Sequence, residues 1–477
     1  MRRSRLFLVG IMMLLGVVLF GLNGCGKTES KQSQSVSKYP VIDEAYEAIQ
    51  EKAVYPVEKD MLIEGALRGM TDTIGDPYST YLTEQEAASH RESLAGSRVG
   101  IGAEVTRTNG KYIIVSPIKG GPAEKAGLQP YDEIVRVNGE RLGNETLQEV
   151  VNSIRGKKGT EVKLTIFRPD ADKHMEYTIE RDTMPVQSVN HQLLEERGAK
   201  LGYIALTMFG EETAKEWQKA TSDVIKQGAQ AVIIDVRGNP GGYLMAVSEI
   251  SASLLEEDQV FVVMQDAQGS LAPIVTEKSE KLEFNERLKQ IPIVVLQDTG
   301  SASASEVLSA ALKDLKRGTL IGTTSFGKGT VQETMELSNG GELKLSTNKW
   351  LTPKEKWIHG KGVAADIEVK QSVLFTEHLQ MVTETFKEGH FNEQIAYAQR
   401  MLKALDYQPG RTDGYYDKDT AAAVLAFRAD RQIAESKSMD RVFFTALKET
   451  VEEFRNEPKN DKQLRMAVDF LVNELGE

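Results

Sequence analysis

Apolar and polar positions follow several rhythms along the chain, and each predicts a different kind of element. Arg2, Arg3 and Arg5 precede an uncharged, mostly apolar run from Leu6 to Leu22. A basic head followed by such a run is an export signal and stands outside the fold. Glu29 to Ser37 is rich in Ser, Gln and Lys, the composition of a flexible spacer. Helical spacing then groups Val41, Ala45, Ala48 and Ile49, and after them Ile63, Ala66, Leu67 and Met70. That pattern runs into Gly75-Asp76-Pro77-Tyr78-Ser79-Thr80-Tyr81, a turn signal by its Gly, Asp and Pro.

A small unit is legible over 98–181. The pattern predicts strands at Tyr112–Val115, at Glu133–Val137 before an Asn-Gly turn, and at Val162–Arg168, with helices at Pro122–Ala126 and Leu147–Ile154. Beyond it, Ala231–Val236, Val260–Met264 and Pro292–Leu296 are short, Val/Ile-rich and bounded by turn residues, as buried strands of an α/β sheet are. Two helices intervene, one presenting Leu244, Val247, Ile250 and Leu254, the other Val307, Leu308, Ala311 and Leu315. A last unit, about 391–453, reads as short helices around Tyr407-Gln408-Pro409-Gly410 and Asp413-Gly414-Tyr415-Tyr416.

Composition changes this picture in three places. A chain of 477 residues is too long for one core, which predicts about two to four domains. The net charge of -12, with no basic stripe, argues against nucleic acid as a partner. The single cysteine, Cys25, allows no internal disulfide and follows a small residue at the end of the apolar run. Two readings compete there: a lipoprotein cleavage site that makes Cys25 a lipid anchor, or an uncleaved membrane anchor, since roughly 17 apolar residues can just span a bilayer. Either places the bulk of the chain outside the cytoplasm, tethered to the membrane.

The chemistry has to come from few residue types. There is no His-Glu-x-x-His, and the six histidines show no metal-ligand spacing. A thiol nucleophile is excluded by the position of Cys25, and no Gly-x-Ser-x-Gly elbow is present. Gly300-Ser301-Ala302-Ser303-Ala304-Ser305-Glu306 lies between a predicted buried strand and an apolar-faced helix. A serine there meets unpaired helix N–H groups able to stabilise an oxyanion, although Ser303 with Glu306 also reads as an ordinary capping box. Gly322-x4-Gly327-Lys328 is most of a phosphate-binding loop, but Gly329 stands where such a loop needs Ser or Thr. A lysine between glycines in an apolar, strand-like stretch reads instead as a desolvated amine, a base for a hydroxyl. Asp235-Val236-Arg237-Gly238-Asn239-Pro240-Gly241-Gly242 closes a strand in a glycine turn that can aim N–H groups at a negative oxygen.

Taken in order, these segments resemble the carboxyl-terminal processing proteases, or tail-specific serine proteases. The resemblance covers almost the whole exported chain and includes Gly75 to Leu82, Asp235 to Gly242, Ser301 to Glu306, and Phe326-Gly327-Lys328-Gly329 with Gln332. It implies that Ser303 is the nucleophile, Lys328 the general base, and Gln332 a partner positioning the lysine. The oxyanion donors would be the N–H of Ala304 and one from the Gly238–Gly242 turn, with Gly241 the choice among them. Gln332 lies about 13 Å past Lys328 along an ideal strand, so contact between them requires a bend. The 98–181 unit resembles a PDZ domain in Gly100-Ile101-Gly102-Ala103 and in Gly121-Pro122-Ala123-Glu124-Lys125-Ala126-Gly127-Leu128. Gly100, Ile101, Gly102 and Ala103 would cradle a peptide's terminal carboxylate, handing tails to the active site and gating it. The last unit resembles a three-helix peptidoglycan-binding domain in Gln399-x-x-Leu402-x-x-Leu405-x-Tyr407 and Gly410-x-x-Asp413-Gly414-x-Tyr416.

The expected architecture is therefore multidomain α/β: an α/β protease core with an inserted PDZ-like domain and a C-terminal three-helix peptidoglycan-binding-like domain. Its parts are a signal or anchor segment (1–25), a linker (26–38), an N-terminal helical part (39–97), the PDZ-like domain (98–181), the core (182–388), the peptidoglycan-binding-like domain (389–455) and a C-terminal helix (456–477). The expected activity is peptide hydrolysis near the C-termini of extracytoplasmic proteins, with no metal or cofactor. Expected partners are substrate tails and the membrane, with peptidoglycan and a homodimer left open. The rival is a non-catalytic envelope adaptor binding tails and cell wall.

Overall fold

The computed structural model describes residues 38–94, 97–108, 110–185 and 187–476. The apolar run, Cys25 and nearly all of the linker lie outside the described residues. Among the described residues no helix is long and apolar enough to cross a membrane. The chain divides into two compact units, Met1–Ala66 and Leu67–Glu477. In the first, helix Pro40–Lys52 opens on a proline at its first position, and the Gln50 side chain donates to the Val57 carbonyl at 2.9 Å.

The centre of the second unit is a six-stranded sheet. Its order is Val189–Glu196, Ala199–Leu206, Ala231–Asp235, Ile293–Gln297, Thr319–Gly322 and Ile367–Glu368. The first pair is an antiparallel hairpin and every later pair is parallel. The strands step across the sheet in one direction, and right-handed crossovers then put all their helices on one face. Thr213–Lys226, Leu244–Leu254 and Ala304–Asp314 supply Trp217, Val247, Ile250 and Leu308 to the same core as Val232, Ile234, Ile293 and Val295. The opposite face would be bare. Helix Lys462–Gly476 covers it, setting Leu464, Ala467 and Leu471 against Ala231, Ile233, Val294, Leu296 and Ile321. Burial on both faces explains why these strands read as continuous apolar runs.

A second, antiparallel sheet has the order Thr80–Leu82, Glu342–Leu351, Val260–Gln265 and Leu271–Val275, and Thr330–Glu336 also pairs with Glu342–Leu351. Val260–Met264, expected among the strands of the α/β sheet, belongs instead to this antiparallel sheet, because its backbone pairs with Leu271–Val275 and Glu342–Leu351; the sheet's other strands were not expected.

The inserted unit is a sheet of Ala103–Thr108, Lys111–Pro117, Glu133–Val137, Glu161–Arg168 and Lys173–Glu180, with Glu140–Arg141 off its path. Asn138 and Gly139 both take positive φ, 51° and 88°, as the tight hairpin at the predicted Asn-Gly turn requires. Helices Pro122–Ala126 and Leu147–Ile154 close the core formed by Tyr112, Ile114, Ile134, Val150, Val162 and Leu164. The chain enters and leaves this unit through one antiparallel ribbon, Ser97–Gly100 against Asp182–Pro185. Helices Glu393–Ala404, Lys418–Asp430 and Arg441–Asn456 form the C-terminal bundle around Tyr397, Leu402, Phe427 and Phe443.

Candidate active site

Neighbouring parallel strands end side by side, and the loops beyond their carboxyl ends meet, the place where α/β sheets put their ligand crevices. Ala231–Asp235 leads into the Gly238–Gly242 turn, and Ile293–Gln297 leads into the three serines. Hydrogen bonds lock one loop to the other. Ser301 Oγ donates to the Val236 carbonyl at 2.7 Å, Ser305 Oγ to the Asn239 carbonyl at 2.9 Å, and Ala302 N–H to the same carbonyl at 2.9 Å. Ser301 and Ser305 are fully buried. Ser303 alone of the three lines a cleft of about 810 Å³.

Its backbone is unusual for a residue that starts a helix. Ser303 has φ 54° and ψ −113°, a conformation costly for a residue with a Cβ. The Glu306 carboxylate accepts from the Ser303 N–H at 2.8 Å, so the capping signal in the sequence is real. The same buried carboxylate does more. It also accepts from Ser325 Oγ at 2.6 Å, Gly327 N–H at 2.6 Å and Lys328 N–H at 2.8 Å. One side chain thereby joins the serine loop to the lysine loop.

Lys328 is fixed from the other side as well. Its carbonyl accepts from Trp350 Nε1 at 2.8 Å, and the next carbonyl, of Gly329, accepts from Trp357 Nε1 at 2.8 Å. The amine lies over the ring of Tyr78, 4.8 Å from its centroid, so the Gly75–Tyr81 turn supplies a wall of the site. Burial lowers the proton affinity of the amine and Lys344 lowers it further, against the opposing charges of Asp76 and Glu306. Ser303, Lys328 and Gln332 all line the same cleft.

Two expected roles are not met in this geometry. Gln332 donates to Thr330 Oγ1 and Ser346 Oγ, each at 3.0 Å, and not to Lys328. The strand begins at Thr330 and shifts register between Val331 and Gln332, which directs the amide to its cross-strand partner. The Gly241 N–H donates to Asn239 Oδ1 at 2.9 Å, closing a turn over Pro240, so it is already committed. What Gly241 provides is room. With φ 102°, a Cβ there would stand 2.8 Å from the Ala302 carbonyl and 2.9 Å from both the Ala304 nitrogen and Ser303 Cβ. Gly241→Ala should therefore displace Ser303 and lower kcat/KM by about 10²-fold. Comparing kcat/KM with melting temperature checks this, and a parent-like rate would remove Gly241 from the site.

Ala304 opens the helix, so its N–H has no intrahelical acceptor and lies at the positive end of the dipole. In the inserted unit, Gly100, Ile101, Gly102 and Ala103 form the entry to the edge strand Ala103–Thr108. The carbonyls of Ile101 and Gly102 are tied to the N–H groups of Ala123 and Ile118 at 2.7 and 2.8 Å. Ile101 buries its side chain in the core, so only its backbone can face a ligand. Among the described residues no group of three or more His, Cys, Asp or Glu is placed to hold a metal ion. Lys344 and His90, which also line the cleft, and the linking role of Glu306 were not singled out from the sequence.

Comparison with known proteins places the chain in a family. The model of peptidase family S41 matches residues 200–369, that of the activating protease CtpB N-terminal domain 22–86, that of the PDZ domain 113–168, and that of a peptidoglycan binding domain 392–447. The carboxy-terminal processing protease CtpB of Bacillus subtilis (strain 168) is 39% identical over 445 residues, covering 93% of this chain and 91% of that protein. CtpA of the same organism is 35% identical over 447 residues, covering 94% and 93%. A solved photosystem II D1 C-terminal processing protease is 27% identical and covers 72% of this chain and 96% of its own, with a TM-score of 0.45. The chain belongs to the carboxy-terminal processing proteases of peptidase family S41.

Proposed function

We propose that this peptidase is of the serine type, with Ser303 as nucleophile and Lys328 as general base. The observation that carries the reading is the contrast among three serines. Ser301 and Ser305 spend their hydroxyls inside the fold, whereas the strained Ser303 fronts the cleft that also holds a half-buried lysine of lowered proton affinity. When substrate fills the cleft, the Lys328 amine leaves the Tyr78 ring for the Ser303 hydroxyl. Neutral Lys328 takes the hydroxyl proton as Oγ bonds to the scissile carbonyl carbon, and the carbonyl π pair moves onto its oxygen. The Ala304 N–H and the helix dipole stabilise that oxyanion. As the C–N bond breaks, Lys328 gives the proton to the leaving amine. Water then repeats the sequence on the acyl-enzyme and frees Ser303.

In the same proposal, tails enter through the PDZ domain by adding a strand along the open edge of Ala103–Thr108, with the Gly100–Ala103 loop at the carboxylate. The basic head and apolar run before Cys25 support an extracytoplasmic, membrane-tethered site. Gln332 acts at a distance, ordering the polar side of the cleft through Thr330 and Ser346.

Acid-quenching a reaction with an activated peptide ester tests the serine assignment. Mass spectrometry should find the acyl group on the peptide containing Ser303. An acyl group on any other residue, or turnover with none trapped under burst conditions, would count against it.

A further inference from the structure

The cleft carries more basic groups than the proposed hydrolysis uses. Its lining includes Lys328, Lys344 and His90, and no carboxylate. Lys344 sits in the strand Glu342–Leu351, opposite Thr80 on one side and Thr334 on the other, so it projects from the middle of a three-stranded platform. Side chains on a strand repeat every second residue, which puts Lys344 on the same face as Ser346, about 7 Å along. Ser346 is the residue that holds Gln332. Lys344 therefore continues the polar side of the cleft that begins at Lys328.

The Lys344 amine lies 3.1 Å from His90 Nε2, and none of the ion pairs among the described residues includes it. A half-buried ammonium without a counter-charge has lost hydration and gained little in return. It stands ready for an anion that the protein does not supply.

We propose that Lys344, with His90 beside it, binds a carboxylate of the peptide substrate and makes the cleft selective for one. This rests on the Ser303–Lys328 reading, since it assumes that the peptide lies across that cleft. His90 is held toward its neutral form by burial and by the charges of Lys344, Lys328 and Arg91, so the lysine is the cation of the pair. Burial also lowers the proton affinity of Lys344, and an arriving carboxylate opposes that effect. The carboxylate can be an acidic side chain, or the terminal α-carboxylate once the PDZ domain has released the tail to the cleft, and the two share this chemistry.

The test uses the full chain and three peptides that differ only beyond the scissile bond: a free acid, its C-terminal amide, and that amide with a Glu replacing a neutral residue. Wild type should favour at least one carboxylate peptide over the neutral amide by about tenfold or more in kcat/KM. Whichever of the two is favoured identifies the source. Lys344→Met should bring that ratio to about one, Lys344→Arg should keep most of it, and Lys344→Glu should turn it below one, in favour of the neutral amide. A wild-type ratio near one for both carboxylate peptides would overturn the proposal. So would a ratio that Lys344→Met leaves intact, or an equal fall on all three peptides, which would make Lys344 a modifier of Lys328 alone. Melting temperatures of the variants separate misfolding from lost selectivity, and Lys344→Arg keeps the test decisive if Lys344→Met does not fold. Undiminished cleavage by Ser303→Ala would instead sink the catalytic reading on which the proposal stands.

Discussion

Ser303→Ala, Lys328→Met and the double variant are expected to lower kcat for a tailed protein substrate by the same factor, about 10⁴ or more. One proton passes between these two side chains, so removing either leaves the other without a function and the losses do not add. The pH dependence should separate the roles. The base must be neutral, and burial and then Lys344 lower the proton affinity of Lys328 while Asp76 and Glu306 oppose them. Activity should rise with pH through a midpoint below that of a free lysine, level off above it, and fall away as the amine is protonated. Replacing Lys344 by Met removes a like charge and should move that midpoint upward. Single-turnover rates across pH check both statements, and a Lys328→Met enzyme with parent-like kcat would remove the lysine from the reaction.

The parts of the fold that pack as whole elements were legible in the residues. Glu133–Val137, Pro122–Ala126 and Leu147–Ile154 occupy the positions that their apolar spacing predicts, because each buries one side against a shared core. Two inner strands of the central sheet, Ala231–Asp235 and Ile293–Gln297, were equally plain, since both their faces are covered. Of the antiparallel sheet only Val260–Gln265 was legible as a strand, and its pattern pointed to the wrong sheet. Thr330–Glu336 and Glu342–Leu351 turn Gln332, Thr334, Lys344 and Ser346 toward each other or toward the cleft, so their inward positions are polar and the apolar alternation that marks a strand is missing. The covering role of helix Lys462–Gly476 was hidden for another reason: it follows from the one-way strand order, which no local pattern encodes.

The site divides along the same line. Ser303 and Lys328 stand in short segments whose glycines and small residues are visible locally, and both do reach one cleft. The duties of Gln332 and Gly241 depended on hydrogen bonds to Ser346 and Asn239, which compete with the partners expected for them. Asn239 could have been read as the start of a side-chain turn, because Asn-Pro-Gly favours one. Nothing near Gln332 announced Ser346, which comes from the neighbouring strand.

Glu306 is where a local signal concealed a larger function, and its replacement should have the second large effect. One carboxylate oxygen accepts from the Ser303 and Lys328 amides, the other from the Ser325 hydroxyl and the Gly327 amide. Glu306→Ala leaves all four donors without their acceptor inside the protein. At about 1–3 kcal/mol for each buried group left unsatisfied, the loss should exceed about 4 kcal/mol. Glu306→Gln keeps the shape but cannot keep the bonds. Turned one way, its NH₂ meets the Ser303 and Lys328 amides, donor against donor; turned the other, it meets the Gly327 amide, although the Ser325 hydroxyl can then rotate and accept, so one pair of contacts is lost or disturbed. The pair consisting of the Ser303 and Lys328 amides spans the two loops, and losing either pair loosens the lysine loop relative to the serine. Glu306→Gln should therefore fold, melt several degrees lower, and lose about 10²-fold in kcat/KM at temperatures where it remains native. Thermal melts together with kinetics well below the transition check this. Parent-like melting with parent-like turnover would show that the two loops keep their alignment without Glu306.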